Sequence, residues 1–206
     1  MTTRSDHAPA RAGGYTLVEL LATLCIAGIL VSLAMPPFGD LALNERRTAV
    51  VNDLLLTLMA ARSETAKRRG RPLVACGFVD RDGDGVLDPD EQHCGGYDWS
   101  DGWMLGTWHD ANADGTVGPS EFEPVRVFQT GASGRLTVTA GNFTASPPVR
   151  PAGTMLIKAF GRRTSNGTIT ICDRRGPAAA RAVIVSPLGR ARVSSTRADG
   201  TPLRCP

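Results

Sequence analysis

From Tyr15 to Met35 the chain is apolar at nearly every position, with Glu19 the single charge and no proline. That length matches the about 20 residues a helix needs to cross a bilayer core. Secretory signal cores are shorter, roughly 7–15 residues, and carry their small residues after the apolar run. Here Gly13 and Gly14 come before it, and Arg4 and Arg11 on the same side assign that end to the cytoplasm. The pattern predicts a retained membrane helix over 15–36. Pro36 and Pro37 should interrupt it, since proline lacks an N–H and clashes with the preceding turn.

Past the prolines the pattern changes to a one-sided stripe. Leu43, Val50, Leu54, Leu58 and Ala61 fall on helical spacing with charges between them. This predicts an amphipathic helix over 37–70 with one face on a globular domain. Lys67, Arg68 and Arg69 suit the negative helix end, and Gly70 is a stop. From 71 to 206, short apolar runs alternate with Gly, Pro, Asn and Asp clusters, the signature of antiparallel strands. The strands are expected at Leu73–Val79, Gly102–Trp108, Val125–Gln129, Arg135–Thr139, Met155–Phe160, Thr168–Cys172, Ala182–Val185 and Arg192–Ser194. The fold class is α+β: a long N-terminal helix, half membrane-spanning and half amphipathic, packed on an antiparallel β domain.

Glu19 needs an explanation, because a carboxylate inside a membrane helix costs about 2.5–3.5 kcal/mol. Snorkelling to the interface is the bland one. A cut after Gly14 would instead leave Tyr15 with a free ammonium able to neutralise Glu19 of an axially shifted neighbour. Gly14-Tyr15-Thr16-Leu17-Val18-Glu19 resembles the prepilin processing motif of type IV pilins, with Tyr15 where Phe or Met is more usual. The resemblance implies a leader over 1–14, removal by prepilin peptidase, N-methylation of Tyr15, and a kink near Pro36. It also implies that Glu19 guides addition to other pilins, first in the inner membrane and then in a filament in the periplasm or outside the cell.

The strand outline, with "DWSDGW" (98–103), "ARAVIVSPLGRARVS" (181–195) and "DGTPLRC" (199–205), is similar to the FimT/GspH family of minor pilins and pseudopilins, and to FimT-type pilins in particular. Four cysteines, Cys76, Cys94, Cys172 and Cys205, lie in the part that would face an oxidising compartment, where disulfides persist. They allow three connectivities. The resemblance implies the local pairs Cys76–Cys94 and Cys172–Cys205. A zinc site from Cys76, His93, Cys94 and His109 would lack the usual C-x₂-C pair. Cys25, in the apolar helix, reads as a small buried thiol.

Charge is unevenly placed. The net charge of +3 combines an acidic middle with a basic end. Between Leu73 and Val125, twelve acids face one base, Arg81, a net of −11. Most lie in two loops of calcium-binding spacing. Asp80, Asp82, Asp84, Asp88 and Glu91 take positions 1, 3, 5, 9 and 12 of the first, with Gly85 at 6 and a backbone carbonyl from Val86 at 7. Asp110, Asn112, Asp114 and Glu121 repeat the pattern, with Gly115 and the Thr116 carbonyl. Neither loop follows an expected helix, and Asp-Gly turns occur without metal. No cofactor is required, and calcium is the one the loops suggest.

From Gly141 onward, eleven bases outnumber Asp173 and Asp199, a net of +9, and ten of those bases are arginine. Gly189-Arg190-Ala191-Arg192 matches the GRxR motif of FimT pilins that bind DNA in natural transformation, which implies the same partner here. Two arginines one residue apart on a strand share a face at roughly 6–7 Å and can meet adjacent phosphates. Gly189 would admit a phosphodiester, and a Cys172–Cys205 bridge would order the arginines. Only Phe143 and Phe160 are aromatic after residue 140, so contact should be with backbone and independent of sequence. The competing readings are a structural minor pilin or type II secretion pseudopilin without DNA binding, and a membrane-tethered enzyme. The chain carries no nucleophile elbow or metalloprotease motif, so no enzymatic activity is expected.

Overall fold

A computed structural model describes residues 14–68, 71–78, 94, 96–109, 113, 121–130, 136–141, 143, 153–158 and 163–206, the side chains of 33–37 excepted. The first element is α1, Leu17–Lys67. Thr16 caps it: its hydroxyl accepts the Glu19 N–H at 3.2 Å, and Glu19 Oε2 accepts the Thr16 N–H at 3.1 Å. This reciprocal pairing is a capping box, T-x-x-E, which satisfies two N–H groups that a helix start leaves open.

The chain divides into two compact units at Ala42/Leu43. In the first, the apolar side chains from Leu17 to Val31 are exposed, and so is Cys25, against the expectation of a buried thiol. No helix among the described residues is long and apolar enough to cross a membrane. The described side chains of the apolar run stop at Ser32, short of the 15–36 span expected. Helical backbone continues through Pro36 and Pro37, so the expected interruption is absent. Each proline removes one N–H, but the turns on both sides keep their own hydrogen bonds.

In the second unit the predicted stripe is the buried one: Leu43, Val50, Leu54, Leu58 and Ala61 are all shielded from solvent. Two four-stranded antiparallel sheets accompany it. The strands in chain order are β1 (Leu73–Gly77), β2 (Gly102–Trp108), β3 (Phe122–Gln129), β4 (Leu136–Ala140), β5 (Met155–Ile157), β6 (Gly167–Asp173), β7 (Arg181–Val185) and β8 (Ala191–Ser194). The first sheet runs β3-β2-β1-β5 and the second β4-β6-β7-β8.

Alternation of side chains sorts the core into layers. Leu73 and Ala75 of β1, Val138 of β4, Ile169 and Ile171 of β6, and Val183 and Val185 of β7 share one cluster with Val50, Leu54 and Leu58 of α1. Val74 and Cys76 point the other way, into a second cluster with Met104, Phe122 and Leu156. Thus β1 is buried on both faces, which its near-continuous apolar run allows. Cys172, Ala182 and Ile184 form a third cluster on the outer face of the second sheet, covered by Leu203 and Cys205 of the tail.

The DWSDGW segment joins the two sheets. Trp99 N–H donates to Val138 O and Ala140 N–H to Tyr97 O, both at 2.7 Å, while β2 begins at Gly102. Trp99 and Trp103 stack in the core, and Trp103 Nε1 donates to Thr57 Oγ1 of α1 at 2.9 Å. Both disulfides form as the family resemblance implies: Cys76–Cys94 with Cα atoms 5.2 Å apart and Cys172–Cys205 at 5.8 Å.

Candidate nucleic-acid interface

Strands β7 and β8 make a hairpin with Ile184 opposite Arg192 and Val185 opposite Ala191. Ser186, Pro187, Leu188 and Gly189 turn the chain. Gly189 N–H donates to Ser186 O at 2.7 Å, Ser186 N–H to Arg190 O at 2.9 Å, and Arg190 N–H to Ser186 Oγ at 3.1 Å. Gly189 has φ +71°, where a side chain is strained. A Cβ there would lie 2.4 Å from an Arg62 guanidinium nitrogen and 2.9 Å from Thr164 Cγ2. Arg62 also donates to Leu188 O, and Thr164 N–H to Pro187 O at 2.9 Å. The glycine is therefore needed for the turn and for its close approach to α1. This structural reason stands beside the expectation that the glycine admits a phosphodiester.

Arg190 and Arg192 are both exposed. Ala191 between them packs on the main core, so alternation turns the two arginines to the opposite side. Neither is in an ion pair among the described residues. Their order comes from the hairpin register. The Cys172–Cys205 bridge holds the tail.

Not all of the basic third is available. Arg175 donates from Nε to Asp173 Oδ1 at 3.0 Å and from a terminal nitrogen to Oδ2 at 2.6 Å. Arg47 of α1 lies 3.6 Å from the same carboxylate and donates to Ala179 O. Asn44 Oδ1 accepts from both arginines at 2.9 Å. Arg175 holds the Asp173 carboxyl below its ordinary range, while burial, with Arg181 and Arg175 nearby, lowers Arg47. Asp173 is thus the anchor of a buried tie between α1 and the β6–β7 turn, and Arg175 is removed from the surface charge. Sequence spacing carried no sign of it, since Asn44 and Arg175 are 131 residues apart.

Among the other predicted residues, Gly14 and Tyr15 are exposed, and Glu19 is engaged by Thr16. Of the calcium candidates, Asp80, Asp82, Asp84, Val86, Asp88, Glu91, Asp110, Asn112, Asp114 and Thr116 lie outside the described residues; Glu121 lies inside them, its carbonyl accepting the His109 N–H at 3.0 Å. No group of three His, Cys, Asp or Glu among the described residues could hold a metal.

Residues 50–189 match the family described as Type II transport protein GspH. The chain belongs to the GspH family. The GspH match begins within α1, takes in β1 to β7 and both tryptophans of the sheet joint, and stops on the turn glycine. Arg190, Arg192, β8 and the tail fall beyond it. No curated protein matches this chain. It is also similar to two crystal structures of the type IV minor pilin FimU of Pseudomonas aeruginosa (strain PAO1). In the P65 form the identity is 18% over 71% of this chain and 91% of that one, with a TM-score of 0.45. In the P21 form the identity is 18% over 73% and 90%, with a TM-score of 0.47.

Proposed function

We propose that this GspH-family chain is a minor pilin of a type IV pilus that binds the DNA backbone during uptake in natural transformation. Prepilin peptidase cuts after Gly14, Tyr15 is methylated, and Glu19 exchanges its Thr16 contacts for the ammonium of a neighbouring pilin as the subunit leaves the inner membrane. The protein has no catalytic role. Arg190 and Arg192 take adjacent phosphates, with Gly189 shaping the turn that presents them.

The observation that carries the DNA reading is the pair of exposed arginines at the start of β8, neither in an ion pair among the described residues. Full-length protein in a non-ionic detergent should shift a DNA duplex of any sequence. Arg190→Gln with Arg192→Gln should weaken binding by about tenfold or more and make the salt dependence shallower by about 1.8, two phosphate contacts at 0.9 each. The melting temperature should not change, and transformation should drop. Equal binding by parent and double variant sinks the motif assignment.

A second reading has its own support in the matched family's description as a type II transport protein. On that reading the chain is a structural pilin or secretion pseudopilin, and the parent itself does not shift DNA.

We also propose that the loops 80–91 and 110–121 take calcium. Calorimetric titration of the full chain should then show binding heat, and added calcium should raise the melting temperature. No heat and an unmoved melting curve would exclude it.

A further inference from the structure

The outer face of the second sheet carries more than the GRxR pair. Register places Thr139 opposite Thr170, Thr168 opposite Ile184, and Ile184 opposite Arg192, so these side chains share one face. The C-terminal tail crosses that face, held by the Cys172–Cys205 bridge and by burial of Leu203. Between tail and strands lies a groove of about 620 Å³, lined by the Thr139, Thr168 and Thr170 side chains and by Arg197 and Arg204.

The tail is shaped to present these two arginines. Thr196 pairs with Pro202, Arg197 N–H donates to Thr201 O at 2.8 Å, and Gly200 N–H donates to Arg197 O at 3.0 Å with Gly200 at φ +84°. This closes a tight turn with Arg197 at its start. Asp199 also lines the groove; its Oδ1 accepts the Thr201 N–H at 2.9 Å and the Thr201 hydroxyl at 2.7 Å, which orders the turn, and these bonds, with Arg197 nearby, hold its carboxyl below the ordinary range. Arg204 sits between buried Leu203 and disulfide-bonded Cys205, and both arginines are exposed. Neither is in an ion pair among the described residues.

We infer that this groove is a second DNA-backbone contact, in which Arg197 and Arg204 take phosphates and the threonine hydroxyls donate to phosphate or sugar oxygens, continuing the track begun by Arg190 and Arg192. The inference rests on the DNA reading above and extends it to residues outside the GRxR motif. An anionic, flexible backbone suits the site: guanidinium forks at the rim match phosphate geometry, and the small threonine side chains leave room for a strand. None of the described lining residues is aromatic, so the contact expected is with the backbone rather than with stacked bases.

The test compares full-length parent, Arg190→Gln/Arg192→Gln, Arg197→Gln/Arg204→Gln and Arg197→Lys/Arg204→Lys. Binding of fluorescent single-stranded and duplex DNA is measured by anisotropy across salt concentrations. Loss of Arg197 and Arg204 should weaken binding about tenfold and reduce the salt slope by about 1.8, with lysine restoring most of the slope. Melting temperatures should be equal, because both side chains are exposed. If the Gln pair does lower the melting temperature, the single variants Arg197→Gln and Arg204→Gln are read in its place. Parent-like affinity and slope for the Arg197/Arg204 variants, with weakened binding for Arg190/Arg192, overturns the groove and leaves the GRxR reading standing. A parent that does not bind DNA overturns both.

Discussion

Asp173→Ala should destabilise the β domain by about 3 kcal/mol, the lower end of what losing one partner of a buried ion pair costs. The Asp173 side chain is fully buried, and Arg47 is only 9% exposed. Removing the carboxylate leaves two guanidinium groups beside each other, with Arg181 adding like charge. Asn44 and the Ala179 carbonyl can accept hydrogen bonds but cannot supply negative charge. The effect also has a pH signature. The folded carboxyl titrates below its ordinary range, so its stabilising contribution is complete above the unfolded value, near 4, and is lost as pH falls through the lower folded value. Urea unfolding of parent and variant at pH 7 should differ by the full amount, and the gap should narrow in strong acid. A gap under about 1 kcal/mol at pH 7, the worth of an exposed pair, would mean that the tie between α1 and the β6–β7 turn does not hold the domain.

Replacing Cys172 and Cys205 together by alanine should cost about 3–4 kcal/mol, because the bridge closes a loop of 33 residues and removes that freedom from the unfolded chain. The native cost adds to this, since Leu203 is buried only while the tail lies on the outer face of the second sheet. Strands β6, β7 and β8 keep their pairing, so the hairpin bearing Arg190 and Arg192 should survive below the new midpoint. The measurement is the shift in urea midpoint, with the Cys76–Cys94 bridge confirmed intact by mass spectrometry. A midpoint within error of the parent would mean that the tail is held by packing alone.

The strands were readable because most are short apolar runs between turn residues, and each of the eight overlaps the range the pattern gives it. The early start of β3 was not readable. Glu123 and Pro124 look like loop, yet Pro124 pairs with Gly106 next to a bulge at Leu105/Gly106. An edge strand accepts proline because one side of its backbone needs no ladder partner. The helix stripe was equally plain, whereas continuity through Pro36 and Pro37 contradicts the local rule.

At the site, exposure of Arg190 and Arg192 followed from their spacing. The packing constraint on Gly189 did not, because Arg62 and Thr164 meet it only in the folded chain. The Asp173 network was hidden for the same reason. The T-x-x-E spacing at Thr16–Glu19 is legible as a helix cap, a second role for Glu19 beside the one its place in an apolar run suggests.

The position of β8 at the end of its sheet has a consequence for the free subunit. An outermost strand is an invitation to a stray chain, and cationic side chains are a common deterrent. Arg192 on β8, with Arg190 just before the strand, sets positive charge along that open edge, and like charges on two free copies disfavour pairing there.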